Sequence, residues 1–183
     1  MSYINLDNIS FTPILPEVKQ AMTEVINNDL HNPSSQHKAG ENSAELLSDA
    51  RQTVADLINA ANPREIVFTS CGTESVNHAI KGAALANRDR GNHIITTNIE
   101  HNSVLRSIKR LSSQGFKVTS LPVDASGRVD PQSVADAITD QTILVSVMHS
   151  NNEPGTIQTI EEIGRITREN KVLFHSDAVD SVR

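Results

Sequence analysis

The sequence contains no tryptophan, one tyrosine, four phenylalanines and a single cysteine, Cys71. One cysteine excludes an internal disulfide and a thiolate metal cluster built from this chain. So few aromatic side chains leave little on which nucleic-acid bases can stack, and a formal net charge of −6 supplies no basic stripe for a phosphate backbone. Nucleic acid is not an expected partner. Long hydrophobic runs are lacking as well: a run such as Thr142 to Met148 falls far short of the ~20 residues a membrane-spanning helix needs. Met1 to Phe11 has neither the basic and apolar regions of a signal peptide nor the arginines of a transit peptide. A chain outside the membrane, in the cytoplasm, is the expectation.

What remains is enough for an aliphatic core. The chain has 183 residues, 37% of them hydrophobic and 21% charged, which suits one globular domain over residues 1–183. Pro16 opens a helix carrying Val18, Met22, Val25 and Ile26, followed by the turn residues Asn32-Pro33-Ser34-Ser35. A longer helix from about Glu41 to Ala60 sets Leu46, Leu47, Ala50, Val54, Leu57 and Ile58 on one face, wide enough to need a large partner. Short β-rich runs then alternate with helical spacing: 65–69, 94–99, 117–123, 142–148 and 172–174, with a short helix near Pro131 to Ile138. This alternation predicts an α/β fold with a mainly parallel sheet and crossover helices.

In such sheets ligands bind beyond the carboxyl ends of the strands. Four of the runs end in chemically capable residues: Ser70-Cys71-Gly72-Thr73, Glu100-His101, His149-Ser150-Asn151-Asn152 and His175-Ser176-Asp177. The first suits a phosphate held by free backbone N–H groups, although Ser70 or Thr73 as a plain helix cap explains it equally well in isolation. His101 suits a planar ligand or proton transfer, and it is one of seven histidines. Asp177 sits among small and apolar residues, where a carboxylate needs a positive partner: a protonated ring nitrogen, an arginine or a helix N-terminus. Asn151 to Gly155 is turn chemistry with spare amide groups. Together, an anion cradle, a flat group and an acid match the needs of pyridoxal phosphate.

These residues carry a family resemblance. Asn32-Pro33-Ser34-Ser35 with His37, the stretch from Phe68 to Ser75 leading to Ala79-Ile80-Lys81-Gly82, Glu100-His101, the stretch from Val147 to Gly155, and Phe174 to Ala178 occur in the order and spacing of class V aminotransferase-fold enzymes. The chain resembles the NifS/IscS-like cysteine desulfurases in particular. The resemblance implies the large, cofactor-binding domain of a fold type I pyridoxal-phosphate enzyme, incomplete and without its C-terminal small domain. It implies that Gly72 and Thr73 bind the cofactor phosphate, that His101 lies against the pyridine ring, that Asn152 contacts the cofactor–substrate adduct and that Asp177 pairs with the pyridinium nitrogen. His101 and Asp177 are then the catalytic residues of this half. It further implies a cysteine-like amino-acid substrate, a homodimer or a complementing C-terminal segment, and a sulfur acceptor or iron–sulfur scaffold as partner.

The sequence departs from the family pattern at several points. Asp180 stands where the family has a glutamine that meets the cofactor's phenolic oxygen, and an anion there opposes a phenolate. Phe11 stands within the stretch Ile9 to Pro13, on the substrate side. None of Lys19, Lys38, Lys81, Lys109, Lys117 or Lys171 matches the family's Schiff-base lysine, and Cys71 does not match its sulfur-accepting cysteine. A catalytically incomplete chain is the expectation, with a non-catalytic remnant that keeps the fold as the alternative.

Overall fold

The computed structural model describes Ile4, residues 12–28 and residues 30–182. Phe11 lies outside the described residues. The chain divides into two compact units, Met1–Phe68 and Thr69–Arg183.

In the first unit, α1 (Pro16–Asn27) starts at a proline, whose missing N–H is not needed in a first turn. The turn before the next helix is held by Asn32, whose side chain accepts from the Ser34 N–H at 2.9 Å and whose carbonyl accepts from the Ser35 N–H at 2.9 Å. His37 then caps α2 (Lys38–Leu57), its Nδ1 accepting from the Gly40 N–H at 3.2 Å. Only a glycine fits at position 40, because a Cβ there would stand 2.4 Å from the Ser35 carbonyl oxygen. The apolar faces expected to be packed are open: Val18, Met22, Ile26, Leu46, Leu47, Leu57 and Ile58 are all exposed.

The run 65–69 does not form the expected strand. Pro63–Glu65 is a 3-10 turn, and the residues after it are extended but join no ladder, leaving Val67 60% and Phe68 46% exposed. A strand exists only where a neighbour takes up its backbone groups. Here the Ile66 carbonyl accepts instead from Arg51 Nε at 3.2 Å, and the Arg51 guanidinium lies 5.4 Å from the centre of the Phe68 ring.

The second unit is the expected parallel α/β layer. Its strands β1 (His93–Thr97), β2 (Lys117–Leu121), β3 (Thr142–Ser146) and β4 (Leu173–His175) form one sheet in the order β2-β1-β3-β4, with every pairing parallel. Helix α3 (Gly72–Ala86) leads into β1, and α4 (Asn102–Ser112), α5 (Pro131–Ala137) and α6 (Ile160–Glu169) supply the crossovers. Successive strand residues point to opposite faces, which decides what covers each. Ile94 and Leu144 pack with Val76 and Ile80 of α3 and Val104, Ile108 and Leu111 of α4. Ile95 and Val145 pack on the other face with Val134 of α5 and Ile163 of α6. Full burial of one such side chain contributes roughly 1.5–3 kcal/mol, so the layer orders the strand ends on which the polar residues sit.

Candidate cofactor-binding site

Three strand ends and one helix N-terminus of the second unit make the site. The β3–β4 ladder continues past the strands, with the Val147 N–H donating to the His175 carbonyl at 3.1 Å and the His149 N–H donating to the Asp177 carbonyl at 2.8 Å. Asp177 is thereby held in register beside the loop that carries Asn151 and Asn152. Its side chain is buried at 9% exposure, and Oδ1 accepts from the Val179 N–H at 3.2 Å. Among the described residues no cation pairs with it. Asp180 is half-buried in the same turn.

The turn after Asp177 meets the start of α3. A Cβ on Gly72 would lie 3.0 Å from Cγ2 of Val179, so Gly72 and the Asp177 turn are close neighbours. The capping expected of Ser70 or Thr73 does not occur: the N-cap is Cys71, and no side chain caps the helix. Ser70 instead donates from both its N–H and its hydroxyl to Glu74 Oε2, each at 2.6 Å, and Thr69 Oγ1 lies 2.6 Å from Ser75 Oγ. Thr73 is exposed beside these first-turn N–H groups. The N–H of Glu74 and the hydroxyl of Ser70 pull the pKa of the exposed Cys71 thiol below its ordinary value.

His101 is the N-cap of α4. Its Nδ1 accepts from the Ser103 N–H at 3.1 Å and lies 2.7 Å from Ser103 Oγ, which assigns the ring proton to Nε2. His101, Asn98, Glu100, Asn151, Asn152 and Glu153 line a cleft of about 420 Å³. The expected residues therefore fall into two groups: His101 with Asn152 along this cleft, and Gly72 with the turn carrying Asp177 and Asp180.

Two residues without a role in the sequence reading shape the cleft. Asn151 is buried; its Nδ2 donates to the Ile99 carbonyl at 2.8 Å, and its Oδ1 accepts from the Glu153 N–H at 2.9 Å. Glu100 is also buried, and burial pushes its carboxyl up to about 7. The Met148 N–H and Thr97 hydroxyl oppose that rise, and the charge of Asp177 adds to it. Their signal in the sequence was a polar residue immediately after an apolar run, where a strand end turns inward. His175, whose Nδ1 lies 2.9 Å from Ser146 Oγ, has its pKa lowered by burial, against the opposing charge of Asp177. No group of His, Cys, Asp and Glu suited to a metal ion occurs among the described residues, and no described helix is long and apolar enough to cross a membrane.

The residues suit pyridoxal phosphate. An uncapped helix start with a glycine in its first turn offers N–H groups to a phosphate. A buried carboxylate with no cation among the described residues, in the adjoining turn, offers a counter-charge to a protonated ring nitrogen.

The parallel α/β layer matches pyridoxal-phosphate enzymes of fold type I, and the chain belongs to the class V aminotransferase family, whose model matches residues 4–183. Within that family it falls with the NifS/IscS-like cysteine desulfurases. It is 49% identical over 179 residues to the cysteine desulfurase IscS of Methanosarcina thermophila, covering 98% of this chain and 44% of that protein. It is 46% identical over 181 residues to the putative cysteine desulfurase IscS 1 of Bacillus subtilis (strain 168), covering 99% of this chain and 48% of that protein. Among solved structures, a NifS-like protein matches with a TM-score of 0.91 at 40% identity, covering 96% of this chain and 48% of its own. SspA in complex with cysteine matches with a TM-score of 0.90 at 40% identity, covering 96% and 50%. The chain spans about half the length of the curated relatives it matches.

Proposed function

We propose that this chain is the cofactor-binding half of a cysteine desulfurase, the kind of enzyme that converts L-cysteine to L-alanine. In that reaction the substrate's C–S bond breaks and the sulfur forms an S–S bond with an enzyme cysteine, leaving a persulfide. The observation that carries the proposal is the buried Asp177, which pairs with no cation among the described residues, in a turn that rests against the first turn of α3. The structural likeness to SspA in complex with cysteine supports a cysteine-like substrate.

Bound pyridoxal phosphate supplies an electron sink for the electrons freed at the substrate Cα. The residues of this chain hold and tune it. The first-turn N–H groups of α3 and the Thr73 hydroxyl bind its phosphate, with Gly72 leaving room for close approach. Asp177 keeps the proton on the ring nitrogen by opposing it with a fixed negative charge. His101 flanks the ring, its orientation set by Ser103, and Asn152 holds polar atoms on the substrate side. Asp180 places a second carboxylate where the family has a neutral amide, which disfavours a phenolate nearby. In the cysteine desulfurases a lysine and an acceptor cysteine complete turnover; a C-terminal segment that carries them, a homodimer, and a sulfur acceptor or iron–sulfur scaffold are the partners this reading proposes.

Calorimetric titration with pyridoxal phosphate tests the binding step, and saturable binding that Asp177→Asn weakens tenfold or more is expected. Mixing the chain with the C-terminal half of a relative should then release alanine from cysteine. A chain that takes up no pyridoxal phosphate at all is instead a remnant of the fold.

A further inference from the structure

Glu100 is 5% exposed and immediately precedes the N-cap of α4. Its Oε1 accepts two hydrogen bonds: from Thr97 Oγ1 at 2.7 Å, at the end of its own strand β1, and from the Met148 N–H at 3.0 Å, just past β3. Its Oε2 is buried with no partner. The strand ends joined in this way run on into residues 98–102 and 151–154, the walls of the cleft that holds His101 and Asn152. The Asn151 Nδ2 bond to the Ile99 carbonyl ties the two walls directly.

We propose that Glu100 is a positioning residue for the cofactor pocket, its carboxyl fastening the carboxyl end of β1 to that of β3 so that His101 and Asn152 face one another across the cleft. The inference rests on the pyridoxal-phosphate reading of that cleft. A glutamate is an expensive tie in a buried place unless it is uncharged, and the chemistry around it favours the neutral form. The charged or titratable groups near it are Asp177 from the turn after β4, His101 on its own loop and Glu153 across the cleft, so most of that charge is negative. A neutral Glu100 also leaves Asp177 as the unopposed carboxylate for a ring nitrogen.

The test compares the 183-residue chain with Glu100→Gln, Glu100→Ala and Thr97→Val. Two readouts need no cofactor: hydrogen exchange of the Met148 amide and the ¹⁵N shifts of the His101 ring. The third is the Kd for pyridoxal phosphate. Glu100→Gln keeps the accepting oxygen and the neutral charge, and it should leave all three within about threefold of the parent, or unshifted. Glu100→Ala should speed Met148 exchange tenfold or more, move the His101 resonances and raise the Kd by a similar factor. Thr97→Val removes one donor without touching the carboxyl, and should give intermediate effects even where the alanine variant folds poorly. Unchanged Met148 exchange and His101 shifts in both Glu100→Ala and Thr97→Val overturn the tie, as does a Gln variant as damaged as the Ala variant. A parent chain that shows the exchange pattern but binds no pyridoxal phosphate refutes the cofactor reading and leaves the tie standing.

Discussion

Cγ2 of Val179 lies 3.0 Å from the point that a Cβ on Gly72 would occupy, so the turn carrying Asp177 leans on the first residue of α3. Val179 is 68% exposed and has room to yield. Gly72→Ala should therefore shift stability by less than about 1 kcal/mol, since Ala is also the better helix former. Gly72→Val adds two methyl groups at the same place and should push the turn away, raising the Kd for pyridoxal phosphate tenfold or more with little change in melting temperature. Equal affinities for the two variants would show that the cofactor phosphate does not rest there.

Cys71 reports on the same spot. Its exposed thiol has a lowered pKa because the Glu74 N–H and Ser70 hydroxyl favour the thiolate, the reactive form. Alkylation of this single cysteine should slow in proportion to site occupancy when pyridoxal phosphate or inorganic phosphate is added, while sodium chloride at matched ionic strength should have little effect. Alkylation rates that ignore both phosphates would remove the anion site from the start of α3.

Two buried groups should tilt stability in opposite directions with pH. Glu100 has its folded pKa raised to about 7 from 4.5, so between those values the native state holds a proton that the unfolded chain has lost. Its contribution is fully present below pH 4.5 and is lost as pH rises through about 7, by on the order of 3 kcal/mol. Glu100→Gln should match the parent near pH 4.5 and exceed it at pH 8. His93, wedged between Thr142 Oγ1 and Thr119 Oγ1 at 2.8 Å each, has its pKa lowered by burial and then by Lys117. The unfolded chain protonates first there, so stability is lost as pH falls below about 6.5 toward the lowered folded value. His93→Gln should flatten that acid limb without touching the alkaline one. Thermal melts from pH 4.5 to 8 that stay parallel for parent and both variants would contradict both assignments.

The second unit was legible in the sequence because its signals are local. β2 and β3 fall within the runs read as strands, β1 starts one residue before its run and β4 ends one residue after its own, since isoleucine and valine clusters ending in polar residues have few other uses. His101 and Asp177 could be singled out for the same reason. What the sequence hid depends on long-range partners. Residues 65–69 have the composition of a buried strand, yet among the described residues no strand pairs with them, and composition carries no record of neighbours. Ser70 was a plausible cap, but Glu74 four residues on captures its hydroxyl and N–H. Glu100 gained its meaning from Met148, 48 residues away, a pairing that only the parallel register of β1 and β3 creates.

That register depends on Gly91. The residue is buried just before β1, and a Cβ on it would stand 2.4 Å from the carbonyl oxygen of Gln141 and 2.8 Å from its carbonyl carbon. The obstacle is backbone, which cannot rotate aside, and the same carbonyl accepts from the His93 N–H at 2.8 Å to start the β1–β3 pairing. Gly91→Ala must push the two strands apart at their amino ends and should destabilise the chain by ~1–3 kcal/mol. Gly164→Ala is the control, because there the added Cβ would meet only the Phe174 ring at 3.7 Å, an ordinary contact, inside α6 where alanine is favoured by ~1 kcal/mol. Urea unfolding should rank Gly91→Ala below the parent and Gly164→Ala at or above it. A strand shift at position 91 also moves Thr97 and Glu100 relative to Met148, so Gly91→Ala should speed Met148 amide exchange, and a Gly91→Ala chain as stable and as protected there as the parent would mean the two strands can slide without cost.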